Sequence, residues 1–124
     1  SNHAVSQVAA LEAFEAREEL DRNVAVYAEN RAHLLDQLPK VGLADIAPAD
    51  GAFYLYAKIA HLTSDSDAFC RQMLDDIGVA TTPGTDFDTG ERAAYVRLSY
   101  AGKPEDVQQA VLRIGNWLAD KWGA

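Results

Sequence analysis

The stretch "YVRLSYAG", residues 95–102, decides how this sequence is read. Alternation with period two sets Val96, Leu98 and Tyr100 on one face of a strand, and Tyr95, Arg97 and Ser99 on the other. One face is apolar enough to line a core, while the other holds a guanidinium between two hydroxyls. Burying a guanidinium is costly unless its donors find partners. This face therefore either meets solvent or keeps Arg97 for an anion. A strand of this kind needs a second layer on its apolar side, and helices are the available material.

Working outward, Lys103 and Pro104 lead into a last helix whose inner face is Val107, Val111, Ile114 and Leu118. Upstream, "PGTDFDTGERAA" (83–94) reads as a loop and "VATT" (79–82) as a short strand. "SDSDAFCRQMLDDIG" (64–78) predicts a helix with Ser64 or Ser66 as N-cap and Gly78 as C-cap; its buried stripe is Phe69, Met73 and Ile77, with Leu74 beside it. "AFYLYAKI" (52–59) is an aromatic-rich strand that sets Phe53, Leu55 and Ala57 against Tyr54, Tyr56 and Lys58. Before it, "LADIAPADG" is a short extended segment ending in a turn at Asp50-Gly51, and Pro39 and Gly42 stop what precedes.

From Ala4 to Leu38 there is neither Gly nor Pro, so the first third of the chain is helical. Val24, Tyr27, Arg31, Leu34 and Leu38 share a face that Ala28 and Leu35 widen. The charged stretch "EAREELDRN" (15–23) is read as a joint between two helices or a bend near Glu18 to Asp21. The fold class is α+β: one domain over residues 1–124, a small open mixed or antiparallel sheet of three or four strands with helices on one face, after a long helical segment.

Composition narrows the function. The 124 residues are 48% hydrophobic and 24% charged, enough for a globular core. A formal net charge of -8 and a pI near 4.7 repel polyanions, so nucleic acid and anionic membranes are not expected partners. The single cysteine, Cys70, rules out an intrachain disulfide, and no leader or spanning run is visible; the expectation is a cytoplasmic protein. His3, His33 and His61 have no ligand-like spacing to one another or to Cys70, so no metal site is expected, and Cys70 reads as an inert core thiol. No G-x-S-x-G, H-E-x-x-H or Walker sequence occurs. Asp86, Asp88 and Glu91 read as a solvated loop that can also pair with Arg92 or Arg97.

Three blocks in order, "PADGAFYLY" (48–56), "SDAFCRQMLDDIGVATTPGTDFD" (66–88) and "YVRLSYAG", resemble the end of class I/II aminotransferases of the pyridoxal phosphate-dependent fold-type I family. The opening "SQVAALEAF" and closing "VLRIGNWL" fit the same pattern. Asp88 stands where many relatives have glycine.

The resemblance implies a C-terminal small domain in which Arg97 binds the substrate's α-carboxylate and Phe53 and Tyr54 of "GAFY" lie near the substrate, although a core role for these two reads equally well. It implies pyridoxal 5'-phosphate in the full-length enzyme, amino acid and 2-oxo acid as substrates, a large domain in the same polypeptide, and a homodimer. The family's cofactor-binding lysine lies in an upstream S-x-S-K-like block that Lys40, Lys58, Lys103 and Lys121 do not match. The expectation is therefore that this chain holds no catalytic or cofactor-binding residue and is inactive alone. Two other readings stay open at the level of sequence. One is a lyase or synthase of the same fold, and the other a free-standing amino-acid-binding or interaction module.

Overall fold

The computed structural model describes residues 2–49, 52–84 and 94–123. Along the chain come α1 (Asn2–Gln37), a 3-10 turn (Pro39–Val41), β1 (Ile46–Pro48), β2 (Tyr54–Lys58), α2 (Ser66–Ile77), β3 (Thr82–Gly84), β4 (Tyr95–Ser99) and α3 (Pro104–Trp122). The strands form one sheet in the order β1-β2-β4-β3, with every neighbouring pair antiparallel. The two strands read from aromatic alternation, β2 and β4, are the inner pair, and the two three-residue strands are the edges. This is the α+β architecture expected, with four strands and a purely antiparallel sheet.

Alternation sorts the sheet's faces as the sequence implies. Leu55, Ala57, Val96 and Leu98 are buried beneath the helices, together with Phe69, Cys70 and Met73 of α2 and Leu34 and Leu38 of α1. All four apolar residues assigned to the inner face of α3 are buried, and Trp117 joins them. Gly78 ends α2 in the left-handed conformation at φ 69°, donating its N–H to the Leu74 carbonyl. Only glycine takes that conformation without a Cβ penalty.

Four details differ from the sequence reading. First, α1 is one uninterrupted helix, with no break between two helices at 18–21. A charged stretch breaks an apolar stripe but leaves the backbone ladder intact when no Gly or Pro intervenes, and residues 16–22 simply face solvent. Second, the buried stripe of α1 is shorter than the periodicity suggests. Ala28 is exposed and Val24 is 44% exposed, and among the described side chains of α1 full burial begins at Asn30 and continues at Leu34.

Third, α2 is capped by neither serine. The Asp65 carboxylate accepts the Ala68 N–H at 3.0 Å, and Leu74 turns outward to 52% exposure. Fourth, the strand placed at 79–82 runs from Thr82 to Gly84. Pro83 is tolerated because β3 is an edge strand, where a missing N–H can face outward. The turn at Asp50-Gly51 and the segment holding Asp86, Asp88, Glu91 and Arg92 lie outside the described residues.

Two polar contacts tie the layers. Asn30 of α1, 3% exposed, donates both amide hydrogens: to the Tyr100 carbonyl at 3.0 Å and to the Gly102 carbonyl at 2.8 Å. It pins the chain as it leaves β4. Asn30→Ala strands two acceptors, and the expected loss is about 1 to 3 kcal/mol of stability, read from urea unfolding. A change below about 0.5 kcal/mol contradicts it.

Asp76 of α2 accepts from the Trp117 indole N–H at 2.8 Å and meets Lys121 Nζ at 3.1 Å. The indole bond, followed by the bond to Lys121, holds its carboxyl below the ordinary range. A depressed folded-state pKa stabilises the fold above the unfolded-state value of about 3.9, and the stabilisation is lost as pH falls through the lower folded value. The wild-type stability profile should therefore fall more steeply below about pH 4 than that of Asp76→Asn. Parallel acid-unfolding curves would rule this out.

Candidate functional site

All three helices lie on one face of the sheet, which leaves the opposite face of the strands uncovered by them. Along β2 that face carries Tyr54, Tyr56 and Lys58; along β4 it carries Tyr95, Arg97 and Ser99; along β3, Thr82 and Gly84. Arg97 is at its centre. β4 is an inner strand, so Arg97 has Tyr56 opposite it on β2 and Thr82 opposite on β3. A side chain mounted there has a backbone fixed by two ladders of hydrogen bonds, which is a rigid base for recognition.

The electrostatics of this face run against those of the chain. The protein carries a net charge of -8, yet the residues of the four strands include Lys58 and Arg97 and not one acid. Arg97 is half-buried, and its guanidinium carbon lies 4.7 Å from the centroid of the Tyr54 ring. Tyr54 and Tyr56 meet edge to face, with centroids 5.5 Å apart and planes at 86°. The Tyr54 side chain bonded to the Tyr56 hydroxyl pushes that phenol above its ordinary range, while Arg97 pulls the other way. A planar fork of donors on a locally cationic surface suits an oxyanion held by two parallel bonds, a carboxylate above all.

The other residues singled out from the sequence do not join Arg97. Phe53 follows the alternation onto the helix side: its ring packs against Tyr27 at 5.2 Å and Tyr100 at 6.1 Å, and it keeps 43% of its surface exposed. It is not a core residue. Cys70 is buried, and burial pushes its thiol up, away from a reactive thiolate. His61 bonds the Gly42 carbonyl at 2.9 Å, and no group of metal-binding side chains occurs among the described residues.

A pyridoxal phosphate site would gather a lysine amine, an acid for the ring nitrogen and donors for the phosphate. The four lysines stand at four separate places: Lys40 paired with Asp36, Lys121 with Asp76, Lys103 at the start of α3, and Lys58 at the end of β2. Among the described residues, nothing assembles the set that would hold the group.

A cavity of about 390 Å³ lies on the helical side, lined in part by Gly78, Ala80, Ala110 and Arg113. Arg97 does not line it. Two contacts were not legible in the sequence. The alternation sets Tyr54 on the correct face but does not show its contact to Arg97, and Asn30 stands between Glu29 and Arg31, where nothing marks it as buried. Among the described residues, no helix is long and apolar enough to cross a membrane.

Comparison with known proteins identifies the family. The family model described as "Aminotransferase class I and II" matches residues 1–114. The valine–pyruvate aminotransferase of Mycobacterium tuberculosis is 52% identical over 116 residues, covering 92% of this chain and 30% of that protein. An aspartate aminotransferase of Thermotoga maritima is 33% identical over 116 residues, 94% of this chain and 28% of that protein. Among solved structures, an aminotransferase from Mycobacterium tuberculosis matches with a TM-score of 0.76 at 50% identity, covering 86% of this chain and 28% of that one. The aromatic aminotransferase of Pyrococcus horikoshii matches with a TM-score of 0.67 at 32% identity, covering 87% and 28%. The chain spans about 30% of the length of the curated relatives it matches.

Proposed function

The chain belongs to the class I and II aminotransferase family, and from that premise we propose that it is the substrate-binding C-terminal small domain of a pyridoxal phosphate-dependent aminotransferase. The observation that carries this reading is Arg97: a guanidinium on an inner strand, on a sheet face whose described strand residues include two cations and no acid, in an otherwise acidic chain. The relatives are named for valine–pyruvate, aspartate and aromatic amino acid transfer. What such substrates share is an α-amino carboxylate, and a fork of donors is the complement to its carboxylate half.

The family implies pyridoxal phosphate in full-length enzymes, where it supplies the electron sink for moving an amino group between an amino acid and a 2-oxo acid. The role of this chain is positional. Arg97 fixes the carboxylate by charge and direction together, which orients the amino group and the Cα–H bond toward the reacting centre. Phe53, still partly exposed at the end of the sheet, is the second candidate for contact with substrate. In the complete enzyme, a cytoplasmic homodimer on this reading, the domain moves against the large domain of the same polypeptide to close the site. The relatives compared are named as aminotransferases, which disfavours a lyase, a synthase or a free-standing module.

The complete gene product and this chain alone, assayed side by side, test the proposal. The complete protein is expected to transfer amino groups between amino and 2-oxo acids. The chain alone should not turn over, and borohydride trapping with pyridoxal phosphate should give weak, heterogeneous adducts spread over Lys40, Lys58, Lys103 and Lys121. A single stoichiometric adduct with turnover by this chain alone defeats the reading of it as one domain of a larger enzyme. Absence of transfer by the complete protein over a panel of amino acids defeats the reading as an aminotransferase.

A further inference from the structure

Resting on the assignment of Arg97 to the carboxylate, we propose that Tyr54 is the positioning residue of that arginine, holding the guanidinium plane by its ring face without engaging an N–H donor. An arginine on a sheet surface reaches its ligand through several rotatable bonds, and a clamp works only if its fork already points the right way. An acid beside Arg97 would hold the fork by occupying the donors the ligand needs. A ring face attracts the cation through its quadrupole and leaves the donor edges to the ligand.

The contact is written into the register. Arg97 stands opposite Tyr56, and Tyr54 stands opposite Ser99 two positions along, so Tyr54 is the diagonal neighbour that a long side chain can reach. The guanidinium carbon lies 4.7 Å from the Tyr54 centroid. The ring is itself supported, since Tyr56 meets it edge to face at 5.5 Å. Tyr56 in turn lies against Gly84 of the edge strand, where an added Cβ would stand 3.0 Å from Cε1 and 3.1 Å from Cδ1 of the ring. Gly84 is not among the glycines at positive φ, so what it supplies here is space. Glycine on β3, two tyrosines on β2 and the arginine on β4 make one stack across three strands. The raised Tyr56 phenol stays neutral at physiological pH, so no phenolate competes with the ligand for Arg97.

The test uses the complete enzyme and isovalerate, a branched carboxylate with no amino group, as the probe, measured by calorimetry and by inhibition. Tyr54→Leu, which removes the ring face, is expected to weaken isovalerate binding and raise KM for the amino acid by about tenfold, with kcat changed by less than about threefold. Tyr54→Phe keeps the face and should restore both values to within about twofold of the parent. Gly84→Ala, which displaces Tyr56 without touching the arginine, should give a smaller loss of the same kind.

If Arg97→Ala abolishes isovalerate binding while Tyr54→Leu binds within twofold of the parent, the role of Tyr54 is refuted and that of Arg97 stands. A Tyr54→Phe variant as weak as Tyr54→Leu refutes it too, because the ring face is then not what matters. An Arg97→Ala variant that binds isovalerate like the parent overturns the assignment of Arg97 itself, and the role of Tyr54 with it.

Discussion

Arg97→Ala in the complete enzyme is expected to lower kcat/KM for the amino acid by about 2 to 5 kcal/mol of transition-state binding, and Arg97→Lys by somewhat less. At 1.36 kcal/mol per decade, that is roughly thirtyfold to several thousandfold. The size follows from what the proposed role would lose: a charge-assisted pair of parallel bonds made where charge and orientation are both needed. Lysine keeps the charge and loses the fork, so its variant reports how much of the effect is direction. An amine that matches the substrate but lacks the carboxylate provides the internal control, since its slow turnover should be nearly indifferent to the change. Arg97 is half-buried on the face the helices leave uncovered, so the fold should survive truncation. A kcat/KM within twofold of the parent would falsify the assignment.

The second large effect belongs to the core. Phe69 of α2 is 2% exposed and packs edge to face on Trp117 at 5.1 Å, with Trp122 at 5.5 Å from its ring and 5.0 Å from that of Trp117. Phe69→Ala removes the whole ring from the junction of α2 and α3 and leaves a cavity, and the expected cost is about 3 to 5 kcal/mol. Phe69→Leu should cost less, because it restores part of the volume. Leu74→Ala on the same helix supplies the contrast. Its side chain is 52% exposed, and a change within about 0.5 kcal/mol is expected. Urea midpoints at constant m separate the two cases. A loss below about 1 kcal/mol for Phe69→Ala would mean that the aromatic cluster does not organise this part of the core.

Local pattern by itself determined the inner strands, the two faces of the sheet and the inner face of α3. Period two in "YLYAK" and "YVRLS" can be satisfied in only one way once one side is apolar, and α3 has a single wide apolar face. The same alternation put Arg97 on the face away from the core, and the three ordered blocks carried the resemblance to the family. The carboxylate role proposed for it came only from that resemblance, because a strand arginine has the same local pattern whether it meets water or a ligand.

Tertiary structure alone decided the rest. The edge position of β3 admits Pro83, which a local reading can treat only as a breaker. The burial of Asn30 depends on two carbonyls 70 and 72 residues away, and nothing near it in the chain announces them. The shortened stripe of α1 reflects where the core ends, which periodicity cannot count. The stack of Gly84, Tyr56, Tyr54 and Arg97 draws on three strands whose order is a property of the whole sheet. Pattern along a chain fixes which way a side chain points. What it meets there is fixed by non-local pairing, and that exists only once the chain has folded.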